Sequence, residues 1–274
     1  SGSKSDAFDA RVLAEFLRTD HGHLRPLLPS SEQAQELKLL TRDHHRLVKG
    51  HTRLVNQLVA ALKEFYPLAL EAFSEVSTPS AMDFLEAYPS PTRARQLSQT
   101  EWRRFARQHR LRGDREKKVW ELLHQLRPRV PDYVERAKAR LVRSLVAQLR
   151  VCQRELEGYA QEIERFFATM PVAELARSLP GGKSGTTVAT LWAELGDAAG
   201  RWESFRHLQA EAGATPVTRQ SGKHTAVSFR FACNKRLRHA AAQFAFVSLR
   251  LSDWARAYYR RQRALGHHHW EALR

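Results

Sequence analysis

Two long stretches of this chain place apolar side chains at alternating steps of three and four residues. The first stretch covers residues 32–66 and the second covers residues 132–168. The positions that share the spacing are Leu37, Leu40, His44, Leu47, His51, Leu54, Leu58, Ala61 and Phe65, then Leu145, Leu149, Cys152, Leu156, Tyr159, Ile163 and Phe166. Such heptads predict two long helices that meet along a coiled-coil seam. A short excursion between two long helices is the plan of an antiparallel hairpin, although the seam could also pair with a second copy of the chain.

Three polar or sulfur-containing residues fall on this predicted seam. His44 and His51 could bind a metal or sense pH, but polar seam residues more often fix the register of a coiled coil, which is the interpretation we favour. Cys152 fits as a small buried apolar residue. It lies far from Cys233 and neither belongs to a CxxC pair, so the sequence indicates neither a zinc site nor a disulfide framework.

The remaining pattern predicts shorter helices and a mainly α fold. An amphipathic helix is expected over residues 4–20, and proline-punctuated helices such as 99–110 and 114–126 are expected between the long ones. The C-terminal part reads as short helices around a Gly-rich turn, resembling a helix-hairpin-helix, followed by helices near 234–250 and 252–265. We therefore divide the chain into residues 1–30, 31–169 and 170–274. No apolar run approaches the roughly 20 residues that span a membrane, so no membrane partner is expected.

The charge of the chain points to a polyanionic partner. The 274 residues carry a formal net charge of +16, with a pI near 10.5. Nucleic acid is the usual partner of such a chain, and a basic solvated surface is the alternative. From residue 215 onward only Asp253 and Glu271 oppose the cations Arg219, Lys223, Arg230, Lys235, Arg236, Arg238, Arg250, Arg256, Arg260, Arg261, Arg263 and Arg274. This asymmetry is typical of a nucleic-acid surface.

The segment Thr215–His224 carries the candidate chemistry. Ser221 precedes Gly222, and we expect it in a glycine-loosened loop between Arg219 and Lys223. A hydroxyl between cations is suited to attack a phosphodiester, whereas an ordinary turn serine is the alternative. Gly182-Lys183-Ser184 does not make a P-loop, because Arg177 stands where that motif needs glycine. Tyr258 and Tyr259 lack the surroundings of a tyrosine recombinase nucleophile.

Asp6 and Asp9 form a second candidate site. They lie three residues apart, so their carboxylates project from the same side of the first predicted helix. Two acids at this spacing can share a divalent metal, as in metal-assisted nucleases. Acids in a first helical turn also favour the helix dipole, and the spacing alone favours this simpler interpretation.

Three stretches, in order along the chain, resemble one family. They are residues 4–14 (KSDAFDARVLA), residues 179–197 (LPGGKSGTTVATLWAELGD), and residues 213–238 with Ser221-Gly222 and Asn234-Lys-Arg-Leu-Arg238. They are similar to motifs of the DEDD-type insertion-sequence transposases with a C-terminal serine domain. That family is related to the Piv DNA invertase and includes the bridge-RNA-guided recombinases.

The resemblance implies a RuvC-like domain with four metal-binding acids, a helical coiled-coil insertion and a serine-bearing transposase domain. Residues 1–30, 31–169 and 170–274 would be the end of the first domain, the second domain and the third domain. Asp6 and Asp9 would be the last two acids of a Mg²⁺ cluster, and Ser221 would be the nucleophile that joins DNA through a phosphoserine bond. The candidate nucleic-acid contacts are Lys183, Arg219, Lys223, Lys235, Arg236 and Arg238.

The family also implies DNA and a guide (bridge) RNA as partners. A homo-oligomer, dimer or tetramer, would form through the coiled coil, with the acids of one protomer serving the serine of another, in the cytoplasm of a bacterium or archaeon. The first two acids are absent, so we expect this chain to lack most of the RuvC-like portion and possess only half of a metal cluster. Gly182 also departs from the family, which has an apolar residue there.

Two other functions remain open from the sequence. A non-catalytic helical module for nucleic-acid binding and oligomerisation would need only the basic surface and the coiled coil. A metal nuclease in which Ser221 merely contacts phosphate is the third possibility. Replacement of Ser221 by alanine distinguishes the enzyme from the binding module.

Overall fold

A computed structural model describes residues 5–24, 28–125, 130–182, 185–198, 200–222, 224–228 and 230–273, and these are mainly helical as predicted. The elements, in chain order, are α1 (Asp6–Asp20), a 3₁₀ turn (His21–His23), α2 (Glu32–Phe65), α3 (Pro67–Ala72), α4 (Pro79–Ala87), α5 (Pro91–Arg95), α6 (Gln99–Gln108), α7 (Asp114–Leu123), α8 (Asp132–Ala168), α9 (Ala173–Ser178), α10 (Gly185–Leu195), α11 (Phe205–Glu211), β1 (Val217–Ser221), β2 (His224–Ser228), α12 (Lys235–Leu251), α13 (Asp253–Ala264) and α14 (His269–Ala272).

The two longest helices, α2 and α8, pack against each other along most of their length and run antiparallel. Near one end Leu37 shares a buried cluster with Ile163 and Phe167. Near the middle the thiol of Cys152 lies 3.7 Å from the carbonyl oxygen of Leu47. Toward the other end Lys138 pairs with Glu64, so rising residue numbers in α2 meet falling numbers in α8. The seam therefore closes within one chain, and α2 alone is about 50 Å long.

Local sequence signals explain where α2 begins and ends. The hydroxyl of Ser31 accepts a hydrogen bond from the backbone N–H of Ala34, which satisfies one of the free donors at the helix N-terminus. The helix ends at Phe65, because Tyr66 precedes Pro67 and a residue before proline is disfavoured in helical geometry. Pro67 then starts α3, where its missing N–H costs nothing.

Helices α3–α7 form a compact cap at one end of the α2–α8 pair. Its core contains the fully buried side chains of Phe84 and Trp102, together with Leu145 of α8. The guanidinium of Arg150 on α8 pairs with both Asp83 and Glu86, which fixes α4 against the long helix. The predicted short helices 99–110 and 114–126 correspond to α6 and α7.

A second core lies at the opposite end of the α2–α8 pair. Helices α9 and α10 pack there, with Ala176, Val188 and Ala189 buried against Leu37 and Ile163. Helix α10 also packs against α12, so it joins the coiled coil to the C-terminal helices. The sequence predicts a helix between Asp197 and Gly213, but the described residues become helical only at α11, because Gly196 and Gly200 adopt positive φ angles.

None of the residues of helix α1 is buried. Its apolar side chains, including Phe8, Val12, Leu13, Phe16 and Leu17, are exposed to solvent, Phe16 to 51%. The predicted amphipathic helix is therefore present, with its apolar face uncovered in the structure of this chain. None of the described helices is both long and apolar enough to cross a lipid bilayer.

Candidate active site

Ser221 lies at the tip of a β-hairpin, not in the loop that the sequence predicted. Strands β1 and β2 pair antiparallel, and the register places Ser221 directly opposite His224. Only Gly222 and Lys223 separate them, and Gly222 has a φ of 57°. Two-residue hairpin turns need positive φ at their first central residue, which glycine adopts without strain. Ser221 is consequently an exposed residue at the end of a strand.

The correction from loop to hairpin has a physical reason. Val217 and Thr218 in β1, and Thr225 and Val227 in β2, are β-branched residues that favour extended backbone. At the base of the hairpin the hydroxyl of Ser228 donates to the carbonyl oxygen of Val217 at 3.4 Å. Lys223 and the side chains of Arg219 and His224 lie outside the described part, so their predicted contacts are not located.

The N-terminus of α12 follows the hairpin and displays two of the predicted nucleic-acid contacts. The side-chain oxygen of Asn234 accepts hydrogen bonds from the backbone N–H groups of Arg236 and Leu237, both at 3.1 Å. This cap starts the helix so that Lys235 and Arg236 are exposed. Arg238 is half-buried instead and donates to the carbonyl oxygen of Arg230 at 3.1 Å. This hydrogen bond holds the segment that follows β2 against α12.

A buried carboxylate that the sequence analysis did not identify organises this region. Glu194 of α10 is 1% exposed and accepts two hydrogen bonds from Arg42 of α2, at 2.9 and 3.1 Å. Its second oxygen also accepts from the side-chain amide of Asn234 at 3.0 Å. Burial alone would raise the pKa of Glu194, but the hydrogen bonds from Arg42 and Asn234 and the nearby cations lower it below its usual value. One carboxylate thus ties α2, α10 and the cap of α12 together.

A second carboxylate, Asp197, lies three residues after Glu194 and bonds to the residue before α2. Asp197 accepts hydrogen bonds from the hydroxyl and from the backbone N–H of Ser31, the latter at 3.0 Å, and these bonds lower the pKa of its carboxyl. Between the two acids, Gly196 has a φ of 72°, and a Cβ there would lie 2.7 Å from the hydroxyl of Ser30. The stretch Glu194–Asp197 therefore clamps α10 to the start of α2, and its acids serve structure.

The turn between α9 and α10 explains the departure at Gly182. A Cβ at this position would lie 1.9 Å from the carbonyl oxygen of Ala176, so no side chain fits. The preceding Gly181 has a φ of 92°, which also favours glycine. Helix, tight turn and helix are present as predicted, while Lys183 lies outside the described residues.

Asp6 and Asp9 occupy the first turn of α1. Asp6 is exposed and Asp9 is half-buried, and the hydroxyl of Ser5 caps the helix by accepting from Phe8 at 3.3 Å. Within the described residues, no group of three or more His, Cys, Asp or Glu side chains could hold a metal, and no hydrogen bond joins either aspartate to Ser221. Carboxylates are the right donors for a hard divalent cation, but two of them do not complete its coordination.

Packing accounts for the two C-terminal tyrosines. The ring of Tyr258 stacks on Trp254, with centroids 5.8 Å apart, and the hydroxyl of Tyr259 lies 2.8 Å from Nδ1 of His269. Neither contact places a tyrosine beside Ser221. The Tyr258–Trp254 contact lies within α13, and the Tyr259–His269 contact joins α13 to α14.

Family models match both ends of the chain. A model described as transposase, of the DEDD IS110 type, matches residues 1–67. A model described as transposase IS116/IS110/IS902 family matches residues 173–260, the segment that holds α10, the hairpin and α12. The matched segments therefore include Asp6, Asp9 and Ser221.

Curated relatives match nearly the whole chain. The mini-circle putative transposase for IS117 of Streptomyces coelicolor is 34% identical over 283 aligned residues, covering 100% of this chain and 68% of the relative. An uncharacterised 43.6 kDa protein of insertion element IS110 from the same organism is 28% identical, covering 99% and 67%. An uncharacterised 42 kDa protein of insertion element IS900 from Mycobacterium paratuberculosis is 27% identical, covering 98% and 67%. The chain thus spans about two thirds of the length of each relative.

Proposed function

Because this chain belongs to the IS110 family of transposases, we propose that it cuts and rejoins DNA through a covalent bond between Ser221 and the DNA backbone. The observation that carries the proposal is the position of Ser221 within the matched C-terminal segment. Its hydroxyl lies at the exposed tip of a two-stranded hairpin, where a DNA strand can reach it from outside the protein.

The proposed reaction conserves the number of phosphodiester bonds. The Oγ of Ser221 attacks the scissile phosphorus, a bond forms between Oγ and phosphorus, and the bond from phosphorus to the 3′ oxygen breaks. The serine proton passes to a base, and the departing 3′ oxygen takes up a proton to become a hydroxyl. A 3′ hydroxyl from another strand then attacks the phosphoserine, which releases Ser221 and joins the new strand.

A serine hydroxyl is a weak nucleophile, so the surrounding charge matters. We propose that Arg219 and Lys223, which flank Ser221 in sequence, balance the charge that develops on the pentavalent phosphorus. Lys235 and Arg236 are exposed at the start of α12 and would bind the DNA backbone next to the scissile phosphate. Arg238 would contribute to the site indirectly, because it positions the segment that follows β2.

We further propose that Asp6 and Asp9 supply two oxygen ligands for a divalent cation, Mg²⁺ by the family resemblance. A metal of this kind supplies Lewis-acid polarisation of a phosphate oxygen. The DEDD type of the matching model supports a metal-dependent family in general terms. Since the two aspartates do not complete a site, this chain's own part is to present two carboxylates on one helical turn.

The partners of this reaction follow from the same reasoning. DNA is the substrate, and the family resemblance adds a guide RNA and a homo-oligomer, dimer or tetramer. The seam between α2 and α8 is already filled within one chain, so protomers would meet through outer faces of the coiled coil. Exposed apolar residues such as Leu39 and Val151 lie on those faces.

The test compares Ser221→Ala with Thr225→Ala, which removes another exposed hydroxyl from the same hairpin. In the full-length protein we expect Ser221→Ala to abolish strand exchange and the covalent protein–DNA adduct, with DNA binding retained. Thr225→Ala should keep all three. Unchanged strand exchange in Ser221→Ala would refute the nucleophile. Absence of strand exchange and of any adduct in the unmodified protein, with binding intact, would favour the non-catalytic binding module.

A further inference from the structure

One face of α2 carries a row of basic side chains beside the N-terminus of α12. Lys38, Arg42, His45 and Lys49 follow one another at steps of four, three and four, so they share a face of the helix. Helix α10 packs against both α2 and α12 and brings them side by side. The contact is direct, because the rings of His45 and His239 have centroids 5.7 Å apart.

The charges on this α2–α12 surface are unbalanced. Arg42, Arg201 and Arg236 all act on Lys38, and Lys49, Arg236, His239 and His44 all act on His45. Glu194 is the single carboxylate among the described groups that act on Lys38, and Arg42 and Asn234 already bind it. Five cations, Lys38, Arg42, Lys49, Arg201 and Arg236, therefore face one carboxylate that already has partners.

The α2–α12 surface is accessible to a ligand. Lys49, Arg236 and His239 are exposed, while Lys38 and His45 are half-buried. Burial, together with the neighbouring cations, lowers the pKa of both Lys38 and His45, with Glu194 opposing the shift at Lys38. Concentrated positive charge without matching acids is a cost to the folded chain that an incoming anion would relieve.

We propose that this basic α2–α12 surface binds the phosphodiester backbone of a nucleic acid, with Lys38, His45 and Lys49 contributed by α2 and Arg236 and His239 by α12. From Lys38 to Lys49 the helix rises about 16 Å, which matches roughly five nucleotide steps along one strand of a duplex. The site requires a nucleic-acid partner but does not depend on Ser221 being the nucleophile. It extends the binding surface from the transposase segment onto the coiled coil.

His45 makes the site pH-dependent. The charged or titratable groups that act on His45 are His44 and Lys49 on α2 and Arg236 and His239 on α12, and Glu194 of α10 acts on the neighbouring Lys38. Because these cations oppose protonation of His45 in the free protein, a bound phosphate should restore it. Binding then takes up protons and strengthens as the pH falls from about 8 to about 6.

The experiment measures dissociation constants of full-length Ser221→Ala protein, so that no chemistry intervenes. Duplex DNA and a structured RNA are titrated at 50 and 200 mM salt with Lys49→Gln, with His45→Gln/His239→Gln, and with a control. The control, Lys63→Gln, removes an equally exposed cation from the same helix, 14 residues and about 21 Å further along.

For Lys49→Gln we expect the ratio of the dissociation constant at 200 mM salt to that at 50 mM salt to fall about threefold to fourfold. Each phosphate contact contributes about 0.9 to the slope of log affinity against log salt concentration. The double histidine variant should lose the tightening between pH 8 and pH 6. A lower salt ratio or a lost pH response supports the site, and whether it is seen with DNA, with RNA or with both identifies the nucleic acid that supplies the phosphates. Ratios and pH profiles equal to those of Lys63→Gln, with both probes, would overturn the proposal, whatever the outcome at Ser221.

Discussion

The ion pair between Arg42 and Glu194 makes a quantitative prediction about the joint between the coiled coil and the C-terminal helices. Replacing Arg42 by alanine removes both hydrogen bonds that it donates and leaves Glu194 with the amide of Asn234 alone. The carboxylate has no exposed surface in the folded chain, whereas the side chain of Arg42 is 32% exposed. Breaking a buried pair in this way costs about 3–5 kcal/mol.

The cost should appear where the pair is located. Hydrogen–deuterium exchange in α10 and in the first turns of α12 reports the free energy of local opening. We expect Arg42→Ala to lower that free energy by about 3–5 kcal/mol, while amides of the α3–α7 cap change little. Combining Arg42→Leu with Glu194→Leu should recover most of the loss, because neither charge is then left unpaired.

A surface ion pair on the same helix supplies the control. Arg46 and Asp43 lie three residues apart, with Nη1 of Arg46 2.5 Å from the carboxylate, and their side chains are 74% and 42% exposed. Arg46→Ala removes the same side chain but should cost only about 0–1 kcal/mol. A loss below about 1 kcal/mol for Arg42→Ala, or equal losses for the two arginines, would refute the role assigned to Glu194.

Two other predictions test the packing and the charges of the same region. Gly182→Ala should destabilise the protein by about 1–3 kcal/mol, because its Cβ would meet the carbonyl oxygen of Ala176. Gly158→Ala, in the middle of α8 where a Cβ meets no other atom, should instead stabilise the protein by about 1 kcal/mol. Denaturant titration of both variants measures these changes, and similar effects of the two substitutions would contradict the prediction. Because the pKa of Glu194 is lower in the folded protein than its ordinary value of 4.5, its contribution to stability is present above that value and is lost as the pH falls further. Glu194→Gln should therefore flatten the stability profile below about pH 4.5, and an unchanged profile would exclude this contribution.

The long helices were predictable because their signals repeat. Nine seam positions in α2 and seven in α8 follow one spacing, and Pro67 and Pro131 interrupt the chain at their ends. The hairpin around Ser221 was not predicted, because five-residue strands are too short for a convincing alternation and Ser-Gly is also common in loops. The signals in the sequence that favour a hairpin are the β-branched residues on both sides of Gly222-Lys223.

The Glu194 clamp was unpredictable for a different reason. Its partner Arg42 lies 152 residues away, and no local pattern reports contacts at that range. A glutamate within the apolar run Leu191-Trp192-Ala193-Glu194-Leu195 was the available hint, since such a position predicts burial and burial requires a partner. The roles of Asp6, Asp9 and Ser221 stay predictions, because they rest on the family resemblance and need nucleic acid to test.

The α2–α8 pair links two cores that do not touch. One core includes Leu58, Leu145 and the α3–α7 cap, the other includes Leu37, Ile163 and α10, and the seam between them is filled by half-buried residues such as His44 and Cys152. Cooperativity depends on continuous buried packing, and here that packing thins in the middle of the rod. We therefore expect the two ends of the α2–α8 pair to open with different free energies in hydrogen exchange.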